Sequence, residues 1–321
     1  MRRLIDEYSV SPPFEITVEA NPESCDDDFL QAAMEAGVNR LSIGVQSFNE
    51  DSRKAVNRAG QGKLLRERLE KIAGHFPENS SRTFSMDLIC GLPFQNEEIL
   101  IRDIENAIEY RPAHVSLYSL TVDPLTPLGK RLAKGLVHLP KADEADRLWI
   151  TGRDKLENSG YAQYEVSNFS LAGRESRHNL RYWRMENWLG LGPSAGSTII
   201  NDQTGTGARI TYNADIDKWL ERRPGIAAPR TTENLDTPML IKETLLMGFR
   251  LLSGPDNALF GRRFKKSIEE LIPKTINAWR GRGLFSACSK AAGRDRTALT
   301  RDGLLFLNSF LVEAFMELEA H

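Results

Sequence analysis

Over its first 125 residues the chain alternates between short β-branched runs and longer stretches of helical periodicity, and few architectures accept such an alternation. Phe14 to Ala20 (FEITVEA) reads as a strand. After it, Asp26 to Ala36 places Phe29, Leu30, Ala33 and Met34 at helical spacing, with an acidic first turn and Gly37 as a stop. The pattern recurs as strand Leu41 to Phe48 with a helix over Asn49 to Ala73, and as strand Thr83 to Gly91 with a helix over Asn96 to Glu109, where Ile99, Leu100, Asp103, Ile104 and Ala107 share the spacing. A further strand follows over His114 to Val122. Strands separated by helices pair in parallel through right-handed crossovers, so the class is α/β, as an open sheet or a partial barrel.

The pattern changes near Pro140. Ala142 to Ser159 reads as a helix, and aromatic and glycine-rich segments follow (YAQYEVSNF, HNLRYW, WLGLGPSAGST). From Asp236 the chain turns mostly helical, with Met239 to Leu252, Phe264 to Arg282 and Gly303 to Leu318 as candidates. The residues between the last two suit a two-stranded wing. Three regions result: 1–139, 140–235 and a helical, winged-helix-like 236–321.

Composition removes several function classes. Lys plus Arg total 42 against 44 Asp plus Glu, a net charge of −2 that gives no electrostatic grip on nucleic acid or anionic membrane. Apolar runs fall far short of the roughly 18 residues of a membrane span, and Asp6, Glu7 and the Pro12-Pro13 pair interrupt any signal-like start. A cytoplasmic location is expected. Cys25, Cys90 and Cys288 lie 65 and 198 residues apart, which supports neither a disulfide framework nor a CxxC-type metal site.

Parallel α/β sheets bind ligands at the carboxyl ends of their strands. That edge carries Glu19 and Asn21, Gln46 and Ser47, Asp87 with the following LICGLP, and Thr121 and Asp123. Polar residues also end strands for purely structural reasons, but four such positions on one edge favour a site. Glu19, Gln46 and Asp87 suit an ammonium group or ribose hydroxyls, and Arg58 suits a carboxylate, so a zwitterionic nucleoside would satisfy the set. GxGxxG and Walker A patterns are absent, which argues against dinucleotides and triphosphates.

The second constellation is His178-Asn179-Leu180-Arg181-Tyr182-Trp183, an imidazole, an amide and two rings suited to a flat apolar ligand, or else a core histidine with aromatic neighbours. His75, His114, His138 and His321 are isolated in sequence. Arg262, Arg263, Lys265 and Lys266 are followed at once by Glu269 and Glu270, which reads as a solvated helix face rather than a DNA grip.

Together ITVEANPES, NRLSIGVQSFNEDSRKAVNRAG, MDLICGLPFQ, VSLYSLTVDPLTPLGK, YEVSNF and HNLRYW resemble the HemW-type haem chaperones, formerly grouped with oxygen-independent coproporphyrinogen III oxidases in the radical S-adenosylmethionine (SAM) superfamily. The resemblance runs from about Phe14 to Phe315. It implies a partial (β/α)6 barrel followed by a mostly helical C-terminal domain. It also implies SAM at the strand ends, with Glu19 near the methionyl ammonium, Arg58 near its carboxylate, and Gln46 and Asp87 at the ribose. HNLRYW matches the family's HNxxYW haem motif, which makes His178, with Asn179, Tyr182 and Trp183, the haem candidate.

The implied function is to bind haem and deliver it to an acceptor protein. The alternative is oxidative decarboxylation of coproporphyrinogen III, and enzymatic status stays open. Two departures stand out. Gly196 occupies a position where the family usually carries a histidine. The family's CxxxCxxC loop and GGGTP segment have no counterpart in this sequence, so the chain is expected to lack the first two βα units and to be deficient in the [4Fe-4S] cluster that three clustered thiolates hold.

Overall fold

The computed structural model describes residues 14–58, 62–78, 80–221, 228–286 and 297–320. These divide into two compact units, one ending at His178 and the other starting at Asn179.

In the first unit the elements are Thr17–Ala20 (β1), Asp27–Glu35 (α1), Arg40–Gln46 (β2), Glu50–Ala55 (α2), Gly62–His75 (α3), Thr83–Cys90 (β3), Glu97–Glu109 (α4), His114–Ser119 (β4), Pro127–Ala133 (α5), Ala142–Asn158 (α6), Ala162–Gln163 (β5) and Asn168–Ser170 (β6), and the boundary falls within the next helix, Arg177–Trp183 (α7). The sheet order is β1-β2-β3-β4-β6-β5. β1 to β4 pair in parallel, in register from Glu19↔Ser42 through Gly44↔Asp87 to Asp87↔Ser116. Consecutive strands sit side by side with no reversal of order, which is how a barrel wall is built, whereas a doubly wound sheet reverses at a switch point. β6 then pairs antiparallel with β4 and β5 antiparallel with β6, an addition the βα alternation did not announce.

Period-2 alternation gives the sheet two unlike faces. Leu41, Ile43 and Val45 of β2, Phe84, Met86 and Leu88 of β3, and Val115 and Leu117 of β4 point one way and are buried in the core cluster. They pack with Leu30 of α1, Leu65, Leu69 and Ile72 of α3, Leu100, Ile104 and Ala107 of α4, and Leu148 and Leu156 of α6. Each fully buried Leu or Ile contributes about 1.5–3 kcal/mol. Helix starts are fixed by side-chain caps: Asp26 accepts from the Phe29 N–H at 2.8 Å, Asn49 from Ser52 at 3.0 Å and Asn96 from Ile99 at 2.9 Å.

Two expected helices are broken. The one read over Asn49 to Ala73 is split into α2 and α3, because Asn57 adopts a left-handed conformation (φ 58°) and ends the first segment. The one read over Phe264 to Arg282 is three pieces in the second unit.

That unit contains Gly196–Asn201 (β7), Thr206–Tyr212 (β8), Ile216–Leu220 (α8), Arg230–Leu235 (β9), Thr237–Gly248 (α9), Asn257–Phe264 (α10), Ile268–Leu271 (α11), Pro273–Gly281 (α12), Phe285–Ser286 (β10), Ala298–Leu299 (β11) and Leu307–Glu319 (α13). α10 stops at left-handed Lys265 (φ 57°), Ser267 and Glu270 form a reciprocal capping box for α11, and Pro273 opens α12. β7, β8 and β9 form an antiparallel sheet, and β10 pairs antiparallel with β11 where a wing was expected. Cys288 lies outside the described residues. Arg263, read as solvated, is 4% exposed, with its Nε 2.7 Å from the Asp202 carboxylate and an Nη2 donating to the Met185 carbonyl at 3.3 Å. Its neighbours Arg262, Lys265 and Lys266 are exposed. No helix among the described residues is long and apolar enough to cross a membrane.

The helical core stacks Phe249 and Trp279 on Phe310 at centroid distances of 4.6 and 5.2 Å. Glu317 of α13 caps α12, accepting the Lys274 N–H at 2.9 Å, the Thr275 N–H at 2.8 Å and the Thr275 hydroxyl at 2.7 Å. Burial alone would raise its pKa, but the bonds from Thr275 and Lys274 outweigh that and hold it below its ordinary value of 4.5. A carboxylate with a depressed folded pKa stabilises fully above the unfolded value, and that contribution is lost as pH falls through the folded one. Thermal melts should therefore show the unit weakening below about pH 4.5 in the wild type and less so in Glu317→Gln. Equal pH slopes would refute this assignment.

Candidate functional site

The opposite face of the barrel sheet carries Glu19 on β1, Ser42, Gly44 and Gln46 on β2, Ser85 and Asp87 on β3, and Ser116 and Tyr118 on β4. All but two of these are small or acidic. Asp87 is half-buried and accepts from the Ser42 hydroxyl at 3.3 Å. Burial pushes its pKa up, and hydrogen bonds from Ser116 and Ser42 oppose this.

At the carboxyl edge, β2 ends sooner than the sequence suggests. Gln46 has φ 69°, a conformation that costs a non-glycine residue roughly 1–3 kcal/mol, and the β2–β3 register shifts between Gly44 and Gln46. Two buried side chains hold the turn. Arg53, 2% exposed, donates to the carbonyls of Val45 at 3.0 Å and Ser47 at 3.4 Å and pairs with Glu23 at 3.0 Å. Asp103 of α4, 2% exposed, accepts from the Ser47 hydroxyl at 2.6 Å, the Phe48 N–H at 2.7 Å and the Gln95 amide at 3.3 Å. Gln95 in turn accepts the Gly91 N–H at 2.7 Å, which fixes the loop after β3.

The break after α2 serves the same edge. It turns Arg58 back so that its guanidinium donates to the Asn21 side-chain oxygen beyond β1. A Cβ added at Gly44 would lie 2.8 Å from the Gln46 amide nitrogen and 3.8 Å from both the Arg58 guanidinium and the Asn21 oxygen. Gln46, Arg58 and Asn21 thus converge on a space that only a missing side chain leaves open, with Asp87 in register with Gly44 on the next strand. Glu19 is exposed, one residue pair away on β1. The structure therefore gathers Glu19, Gln46, Arg58 and Asp87 at one edge, together with Asn21, which the sequence also placed there. Ser47 and Asp123 are spent elsewhere, Ser47 on Asp103 and Asp123 on the turn before α5, where it accepts the Leu125 N–H at 2.8 Å.

The HNLRYW run forms α7, none of whose residues is buried. Helical spacing sets exposed His178 and half-buried Tyr182 on one face, a turn apart, and Asn179 and Trp183 on the next. The Tyr182 ring meets Trp188 edge-on, with centroids 4.9 Å apart. Trp183 lies beneath the Arg250 guanidinium, 5.5 Å from ring centroid to charge, and borders a cavity of about 20 Å³ with Thr244, Gly248 and Leu251, room for little more than one water. The two rings thus meet different neighbours and do not clamp one shared space. After Trp188, Leu189 and Leu191 are 75% and 76% exposed. Gly196 has no heavy atom nearer than 4.0 Å to a built Cβ, so its backbone does not require glycine.

Among the described residues no group of three His, Cys, Asp or Glu side chains could hold a metal ion. Cys25 and Cys90 are 0% and 2% exposed, and burial pushes their thiols up to about 11 and about 12.

Comparison with known proteins places these features in a family context. Residues 1–107 match the radical SAM superfamily. The chain is 32% identical over 295 residues to the heme chaperone HemW of Bacillus subtilis (strain 168), covering 92% of this chain and 74% of that protein. It is 33% identical over 324 residues to HemW of Escherichia coli (strain K12), covering 98% and 79%. The mitochondrial radical S-adenosyl methionine domain-containing protein 1 of Mus musculus is 31% identical over 302 residues, covering 89% and 67%. Among solved structures, the E. coli coproporphyrinogen III oxidase HemN superposes with a TM-score of 0.74 over 98% of this chain and 73% of that one, at 20% identity, a likeness of fold.

Proposed function

The chain belongs to the HemW family of haem chaperones within the radical SAM superfamily, and on that footing we propose that it binds haem through His178, binds SAM at the carboxyl edge of β1 to β3, and passes the haem to an acceptor protein. The observation that carries the haem assignment is the placement of His178: its imidazole is exposed on α7, while its backbone is held by hydrogen bonding. An exposed, oriented imidazole is what an incoming haem iron requires. Tyr182, one turn on along the same helix, offers a ring surface for the porphyrin.

At the sheet edge the roles follow from charge and hydrogen-bonding capacity. The Glu19 carboxylate pairs with the methionyl ammonium and Arg58 with the methionyl carboxylate. Gln46 and Asp87 take the ribose hydroxyls, and Gly44 admits the ligand by having no side chain. The fit rests on the open cradle above Gly44 and on a donor and acceptor set that matches a zwitterionic nucleoside.

SAM supplies an adenosyl radical where a reduced [4Fe-4S] cluster cleaves it. Cys25 and Cys90 do not fit a cluster: both are buried with thiols pushed above the range where thiolates form, and 65 residues separate them. We therefore assign no radical step to these residues.

Haemin titration of the wild-type chain and His178→Ala tests the reading. The wild type should give a saturable Soret shift, and the variant should lose the shift and bind at least about tenfold more weakly, the equivalent of one coordinate contact. Coincident spectra would remove His178 as the ligand.

A further inference from the structure

Sequence reasoning passed over Glu15, His114 and Tyr164, yet the structure joins all three to the segment that leads into α7. Within the five residues from Arg174 to His178, four backbone groups are held by side chains from the amino-terminal end of the barrel sheet. Arg40, 4% exposed at the start of β2, donates to the Arg174 carbonyl at 3.3 Å. The Tyr164 hydroxyl accepts the Ser176 N–H at 3.3 Å and is itself 2.9 Å from Nε2 of His114, which is 2% exposed on β4. Glu15, just before β1, accepts the Arg177 N–H at 3.3 Å through one carboxylate oxygen and the His178 N–H at 3.0 Å through the other. The same carboxylate lies 3.8 Å from the Arg40 guanidinium, and the two side chains are 14% and 5% exposed.

Such an arrangement exceeds what capping a short exposed helix needs. One Ser or Asp beside the helix would satisfy its first N–H groups. Here the acceptor comes from 163 residues away, bridges two successive N–H groups and is itself anchored by a buried cation. Burying an arginine is costly unless it is paired, so Glu15 and Arg40 hold one another in place. The free end of the clasp, the two N–H groups, belongs to His178 and the residue before it.

We propose that Glu15, locked by Arg40, is a positioning residue for His178, setting the helix so that the imidazole meets haem iron in one orientation. This rests on His178 as the haem ligand. The clasp acts through the backbone of the ligating residue and touches neither iron nor porphyrin. Removing it therefore leaves a histidine present but poorly placed.

The test is haemin titration of the full chain, read by Soret position and affinity, for wild type, Glu15→Ala, Glu15→Gln, His178→Ala and the Glu15→Ala/His178→Ala double variant. Loss of the clasp should weaken haemin binding about tenfold, the fold-change of a lost helix cap, and shift or broaden the Soret band. Glu15→Gln keeps one oxygen to accept the His178 N–H and should fall between wild type and Glu15→Ala. In the His178→Ala background, Glu15→Ala should add nothing, because the two residues act through one contact.

A wild-type spectrum and affinity in Glu15→Gln and Glu15→Ala, with His178→Ala impaired, would overturn the positioning role. An equal loss from Glu15→Ala with or without His178 would overturn it too, by showing that Glu15 acts elsewhere. A wild-type spectrum in His178→Ala would instead defeat the ligand assignment itself. Circular dichroism melts accompany each variant, and if Glu15→Ala does not fold, Glu15→Gln carries the test.

Discussion

Asp103→Ala should destabilise the first unit by about 3–4 kcal/mol, since each buried donor left without its acceptor costs roughly 1–3 kcal/mol. Three donors depend on this carboxylate: the Ser47 hydroxyl, the Phe48 N–H and the Gln95 amide. Burial raises the pKa of Asp103 while those bonds lower it, so the charge is tolerated only because they are made. Ser47 and Phe48 follow Gln46 directly, and Gln95 secures the loop after β3, so one residue on α4 governs two loops of the candidate SAM edge. Urea unfolding of wild type and variant measures the loss, and a difference under about 1 kcal/mol would show that the loops hold without it. Asp103→Asn, which keeps one acceptor oxygen of the two, should lie between the two.

Gly44→Val should weaken SAM binding roughly a hundredfold while leaving the fold standing. Its Cβ would sit 2.8 Å from the Gln46 amide, and its methyl groups would occupy the space toward Arg58 and Asn21. The Gln46 side chain can swing away, so the strand survives, and valine suits a strand better than glycine. What is lost is the convergence: two polar contacts at about 1–1.5 kcal/mol each amount to a fall of roughly a hundredfold in affinity. Calorimetric titration with SAM measures it directly. Wild-type affinity in this variant would mean that SAM does not use the cradle above Gly44.

The barrel strands were legible because period-2 apolar runs are a local signal, and all four appear within a few residues of their expected ends. Much of what shapes the site was not local. β2 stops at Gln46 instead of Phe48 because Arg53 and Asp103 draw the following residues out of the ladder. Asp103 did carry a readable sign: a carboxylate on the apolar stripe of Ile99, Leu100, Ile104 and Ala107 must be buried with partners. The capping box of Ser267 and Glu270 was equally readable and breaks the helix expected over Phe264 to Arg282. Glu15 was beyond reach, since nothing near it in sequence reveals a bond to a residue 163 positions away. That Tyr182 meets Trp188 and Trp183 meets Arg250 is likewise a tertiary fact, although helix periodicity alone sends adjacent residues to different sides.

The two faces of the barrel sheet carry separate obligations. The helix-facing letters of β2, β3 and β4 are bound by volume, so a change at Ile43, Met86 or Leu117 must be absorbed by the helices packed on them. Ser42, Gly44, Ser85 and Ser116 lie outside that apolar cluster on the other face, with Ser85 and Ser116 buried and Ser42 and Gly44 half-buried. A lineage could rewrite Ser42 and Gly44, and with them what that face holds, without touching the apolar cluster. The candidate ligand contacts and the apolar packing thus lie in different sets of residues along the same strands.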